Sequence, residues 1–255
     1  MILAWIGALL IGVTLGLLGS GGSILTVPVL TYLVGQETKL AITGSLMIVG
    51  IISVFAAIPY ARQGLVKWRT VILFGMPGML GAIAGAWAAH FVSDAVQMLI
   101  FSVLLLIASY LMVKPVKLDE ADKEHPERAV NQIMIDGFVV GMVTGIVGVG
   151  GGFLIIPALV ILGGLSMRLA VGTSLVIIAI KSFAGFIGYL PVLDALQLTI
   201  DWQIIVIFSA IGVLGSWLGH KLSSGINQIQ LKLGFAVFLV LMGMFILYEN
   251  LPHIF

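Results

Sequence analysis

Apolar runs occupy almost the whole chain, at roughly 2–18, 23–34, 41–60, 70–91, 96–113, 133–147, 152–163, 169–190, 203–219 and 230–248. Most of them approach the roughly 20 residues that carry a helix across about 30 Å of hydrocarbon. Charged residues make up only 9% of the sequence, against about 25% in soluble globular chains, so water could not solvate the surface of a folded chain of this kind. In lipid the backbone must satisfy its own hydrogen bonds. The expected fold class is therefore an all-α polytopic membrane protein of about 8–10 membrane segments. Met1 to Leu18 lacks the basic start of a signal peptide and is read as a retained segment.

An internal repeat organises these runs. Gly16 to Leu30 aligns without gaps on Gly145 to Leu159, an offset of 129, with Gly16/Gly145, Gly19/Gly148, Gly21/Gly150, Gly22/Gly151, Leu25/Leu154, Pro28/Pro157 and Leu30/Leu159 identical. The same offset matches Ser45 with Ser174, Ser53 with Ser182 and Tyr60 with Tyr189. After a short insertion, Trp68/Trp202, Phe74/Phe208, Gly78/Gly212, Gly81/Gly215 and Gly85/Gly219 continue the match. Each half thus reads as a Gly-rich broken pair of short segments followed by three spans. The expected division is a first membrane repeat over 1–113, a cytoplasmic polar linker over 114–130 and a second repeat over 131–255.

Basic residues accumulate in cytoplasmic loops. If each Gly-rich pair enters and leaves on one side, the halves have inverted topology. Arg62, Lys67, Arg69, Lys114, Lys117, Lys123, Arg128, Arg168, Lys221 and Lys232 then share the cytoplasmic side, while the acidic loop 190–202 and both termini lie outside. Inverted repeats of this kind are a transporter signature, with the site near the midplane between them. The expected location is the cell (inner) membrane.

Three groups of residues could carry chemistry. Gly21, Gly22 and Ser23, with Gly150, Gly151 and Gly152, form matched helix breaks whose free N–H groups suit an anion; the alternative is close helix packing through small residues. Lys181 is the one base deep inside an apolar span, and with no carboxylate seen at mid-span a bound anion could supply its counter-charge. Ser45, Thr173, Ser174 and Ser182 complete the expected substrate-binding set, with Thr43 and Ser53 as further hydroxyls; such groups more often bond their own or a neighbouring backbone. Tyr60, Tyr189, Trp68 and Trp202 read as interfacial anchors. The sequence holds no cysteine, and its histidines stand in or beside loops, so no metal site and no cofactor are expected. No Ser/His/Asp set or carboxylate pair lies in the membrane, so the chain is not expected to be an enzyme. Lacking a Gly-Lys-Ser/Thr motif, it is not self-sufficient in ATP-driven transport.

The duplicated Gly-rich motifs ending at Pro28 and Pro157, with Gly172-Thr-Ser-Leu175 and Lys181-Ser-Phe-Ala-Gly-Phe186, resemble the sulfite exporter TauE/SafE family of permeases. The resemblance implies secondary transport of a sulfur-containing oxyanion or an organosulfonate. The halves differ where it matters, since Ile52 stands opposite Lys181. A passive anion channel and a non-transporting membrane scaffold remain as alternatives. The expected partners are a small anion and the lipid bilayer, with a homodimer left open; a net charge of +1 gives no reason to expect nucleic acid.

Overall fold

The structure, a computed structural model, describes residues 2–113, 130–148, 152–223 and 225–250. The regular elements among the described residues are all helices, without strands. The first half comprises α1 (Ile2–Leu18), α2 (Gly21–Pro28, prolonged by a π-helical turn over Val29–Leu33), α3 (Thr38–Arg62), α4 (Trp68–Phe91) and α5 (Asp94–Val113). The second half follows the same order, with α6 (Val130–Val147), α7 (Gly152–Pro157, prolonged over Ala158–Leu162), α8 (Met167–Ala195), α9 (Trp202–Ser223) and α10 (Gln228–Asn250). Seven of these, α3 to α6 and α8 to α10, are long and apolar enough to cross a membrane. The linker 114–129, Gly150 and Gly151 lie outside the described residues.

Of the three π-helical turns among the described residues, the one over Val71–Gly75 lies within α4, and the other two begin directly after a proline. Pro28 and Pro157 have no N–H to give to the ladder, and the following turn widens to accommodate the missing bond. The matched prolines therefore shape matched elements.

The halves are interlocked rather than side by side. α1 packs on α9, and α4 on α6, so that the first helix of each half finds the fourth helix of the other. Glycines allow this. A β-carbon on Gly12 would lie 2.0 Å from the Gly212 carbonyl oxygen, and one on Gly16 would lie 2.0 Å from that of Ser216. On the other pair, β-carbons at Gly81 and Gly141 would lie 2.2 Å from the carbonyl oxygens of Phe138 and Gly78. Lipid supplies no hydrophobic drive between helices, so backbones this close hold by van der Waals contact across small residues. Gly16, Gly145, Gly78 and Gly85 are thus packing glycines.

Contact order along the helices gives their directions. Residue numbers rise together along α1 and α9, which run parallel, as do α4 and α6. Along α3 and α8 they oppose: Gly50 meets Phe183, Gly185 meets Leu46, and Gly172 meets Tyr60. α5 and α10 oppose as well, with Ser109 bonded to the Ala236 carbonyl and Gly243 against Ser102 and Leu106. α1 and α2 form a hairpin, Gly22 lying against Ile11 and Gly7 against Val29, so α2 returns toward the end where α1 began. The outer faces carry large apolar side chains such as Leu3, Leu80, Trp87, Ile187 and Leu214, which suit lipid.

Candidate functional site

The chain breaks at Gly19 and at Gly148, both in the left-handed region at φ +74° and +72°. Without a side chain, glycine reaches this conformation at no steric cost. The first helix resumes at Gly21, so Gly21, Gly22 and Ser23 form the opening turn of α2 rather than the break itself. Three residues with poor helix propensity are helical here because Gly22 lets α2 lie on α1; its β-carbon would come within 2.2 Å of the Ile11 carbonyl. The second helix resumes at Gly152, whose β-carbon would meet Ser20 and the Ile178 side chain. The two breaks therefore meet tip to tip, at Ser20 and Gly152.

Two serines tie each tip to the opposite half. Ser45 of α3 donates to the Gly148 carbonyl at 3.2 Å, and Ser174 of α8 donates to that of Gly19 at 3.3 Å. Both also reach a carbonyl of their own helix, Ile42 and Val171. Ser23 bonds the Ser20 carbonyl and Thr43 that of Lys39. Thr173 does not join the tips: it accepts the Lys67 N–H, pinning the loop before α4.

Lys181 is 1% exposed, and among the described residues its Nζ has no hydrogen-bond partner. Its stem lies against Gly78 of α4, where a β-carbon would sit 3.2 Å from Cδ. The repeat partner Ile52 fills the matching place against Gly212. The symmetry of the fold thus puts a methyl group on one side and an ammonium on the other.

Among the described residues the buried hydroxyls of Ser20, Ser53 and Ser182 also lack partners, as do those of Thr31 and of Ser209 on α9. Helical serines usually bond back to a carbonyl, as Ser102, Ser216 and Ser223 do here. Ser20 sits at the first tip beside Ile178. Ser182 is one turn beyond Ile178 on the same face of α8, and Ser53 is its counterpart on α3.

A second reading of the sequence needs correction. Tyr60 and Tyr189 are not interfacial anchors: they are 3% and 0% exposed, and α8 runs on past Tyr189 to Ala195. Tyr60 donates to the Gly16 carbonyl at 2.9 Å and Tyr189 to that of Ile146 at 2.9 Å, each on the last turn before a break. Their identical placement in the repeat was the signal that could have found them. Trp68 and Trp202 are exposed at helix starts. No cluster of metal-ligating side chains occurs among the described residues.

A helical bundle of seven candidate spans whose halves exchange helices, with two broken hairpins meeting inside, defines a multi-pass membrane protein. Residues 4–246 match the family described as sulfite exporter TauE/SafE, and the chain belongs to that family. A probable membrane transporter protein of Xylella fastidiosa (strain Temecula1 / ATCC 700964) is 32% identical over 223 residues, covering 86% of this chain and 83% of that one. A probable membrane transporter protein of Methanocaldococcus jannaschii is 26% identical over 253 residues, 94% of each chain. One of Bacillus subtilis is 25% identical over 270 residues, covering 95% of this chain and 96% of its own length. No solved structure matches.

Proposed function

We propose that the protein is a secondary transporter of a small anion, a sulfur-containing oxyanion or an organosulfonate, working by alternating access between inverted halves. The observation that carries this reading is the Lys181 amino group, fully enclosed and without a partner among the described residues. A charge so placed is expensive, and an anion relieves the cost. The hydroxyls of Ser20, Ser53 and Ser182 offer uncharged donors in the same interior, suited to the several oxygens of a sulfite or sulfonate head group. The antiparallel pairing of α3 with α8, and of α5 with α10, supports inversion, because repeat partners in parallel halves would run the same way. The family's described substrate, sulfite, favours the sulfur oxyanion within this class.

Flux of labelled sulfite or an organosulfonate into proteoliposomes, with and without a pH gradient, tests the reading. Saturable uptake that Lys181→Met lowers tenfold or more, while Ile52→Met leaves it near the parent's, is the expected result. Non-saturating flux would indicate a channel, and no flux of any anion a scaffold. Undiminished transport by Lys181→Met would make the lysine structural.

A further inference from the structure

We propose that Tyr60 and Tyr189 are positioning residues, each holding one break against the opposite half, and that the Tyr60 end of the molecule yields before the Tyr189 end. The proposal rests on the alternating-access reading. Gly16 lies three residues before the first break and Ile146 two before the second, so each tyrosine grips the turn that carries a tip. Each is tied in turn to the other half: Tyr60 to Ser223 of α9 at 3.1 Å, and Tyr189 to Gln97 of α5 at 2.8 Å.

The two grips differ in their supply of protons. At the Tyr60 end, three contacts join oxygen to oxygen: Tyr60 to Gly16, Tyr60 to Ser223, and Ser223 to the His220 carbonyl at 2.8 Å. Two hydroxyls bring two protons, so one of the three contacts is always without a hydrogen. At the Tyr189 end nothing is short. Tyr189 donates to Ile146, and Gln97 spends one N–H on the Tyr189 oxygen and the other on the Ile146 carbonyl. The Gln97 oxygen accepts from Lys39 at 2.6 Å, which fixes the orientation of the amide because an ammonium can only donate. The two remaining N–H bonds of Lys39 go to the carbonyls of Ala89 and Val92, both at 3.0 Å, with Asp94 3.5 Å away. Charge-assisted and complete, this grip is the stronger.

The native chain has no cysteine, so a single reporter reads which end opens. Ile178→Cys stands where the tips meet. In right-side-out and inside-out vesicles, a membrane-impermeant charged methanethiosulfonate should modify it from the face bearing Tyr60 alone. Tyr60→Phe should raise that rate about tenfold, and Tyr189→Phe should open the opposite face. Ser223→Ala removes the competitor for the Tyr60 proton and should slow modification below the parent rate. Gln97→Leu should act like Tyr189→Phe, which guards against a variant that does not fold. Equal rates from both faces in the parent, or tyrosine variants that open the same face or neither, would overturn the proposal. Face-specific rates in a parent that moves no sulfite or sulfonate would uphold these roles and sink the transport reading instead.

Discussion

The Ser45 hydroxyl reaches the Gly148 carbonyl across the two halves, and Ser174 repeats the contact to Gly19 within 0.1 Å, at 3.3 against 3.2 Å. In each, a single proton is shared with the carbonyl three residues back. A shared proton makes a weak bond, yet it is the same weak bond twice. Ser45→Ala and Ser174→Ala should each cost about 0.5–1 kcal/mol, at the lower end for a membrane-buried hydrogen bond. Denaturant titration in detergent micelles checks this, and the two losses should agree with each other more closely than either agrees with Ser223→Ala.

Lys181 gives a prediction in which stability and activity move in opposite directions. The Lys181 amino group is buried without a partner among the described residues, so Lys181→Met exchanges a desolvated polar group for an apolar chain of similar length. The unloaded protein should gain roughly 1–3 kcal/mol and melt a few degrees higher in detergent, even as flux collapses. A lower melting temperature would mean that the lysine holds the fold together.

The glycine contacts sort by position. Gly12→Ala and Gly81→Ala would force a β-carbon to within 2.0 and 2.2 Å of a backbone carbonyl oxygen, so the helices must part. Overpacking of a close interface costs about 1–3 kcal/mol or more, and neither variant should accumulate in membranes at the parent level. Gly234→Ala meets nothing within 4 Å and should express normally. Quantitative blotting of membrane fractions separates the two outcomes.

Lys39 should behave oppositely to Lys181. Its three N–H groups are all spent, so Lys39→Met strands the Gln97 oxygen and takes a donor from the Val92 carbonyl, while the Ala89 carbonyl keeps only the Val92 N–H at 3.3 Å. A loss of about 1.5–3 kcal/mol is expected, the range for a hydrogen bond to a charged group. Thermal melts of the two Lys→Met variants side by side test the contrast. If they shift in the same direction, burial alone and not partnering decides the cost.

The proposed orientation has its own test. Single cysteines at Gln36, Asp122 and Leu196 should report opposite sides, with only Asp122 protected from an impermeant reagent in intact cells. Labelling of Asp122→Cys from outside would reverse the arrangement.

The sequence showed the two halves and the breaks because glycine and proline leave a local signature, and an offset of 129 repeats it. It showed Lys181 because a base amid twenty apolar residues stands out. It could not show that Lys39 pairs with Gln97, 58 residues away, since nothing local to either marks a partner brought together by packing. Tyr60 and Tyr189 were visible but misread: an aromatic with a hydroxyl near the end of an apolar run fits an interface equally well, and only burial decides. Gly22 was misread in the other direction, its low helix propensity being outweighed by the contact that its missing side chain permits.

The pairing of α1 with α9 has a consequence for how the chain is made. Gly12 and Gly212 touch, yet 200 residues of synthesis separate them. At about 5–20 residues per second, the first helix waits on the order of 10–40 s for the surface that it was shaped to meet. Through that interval its glycine stripe faces lipid or the insertion machinery, and α1 stands in the bilayer without the helix it packs on most closely. The α1–α9 contact therefore closes late, after α4 has met α6 and α3 has met α8, and a ribosome that stalls before α9 leaves α1 without the helix its glycines fit.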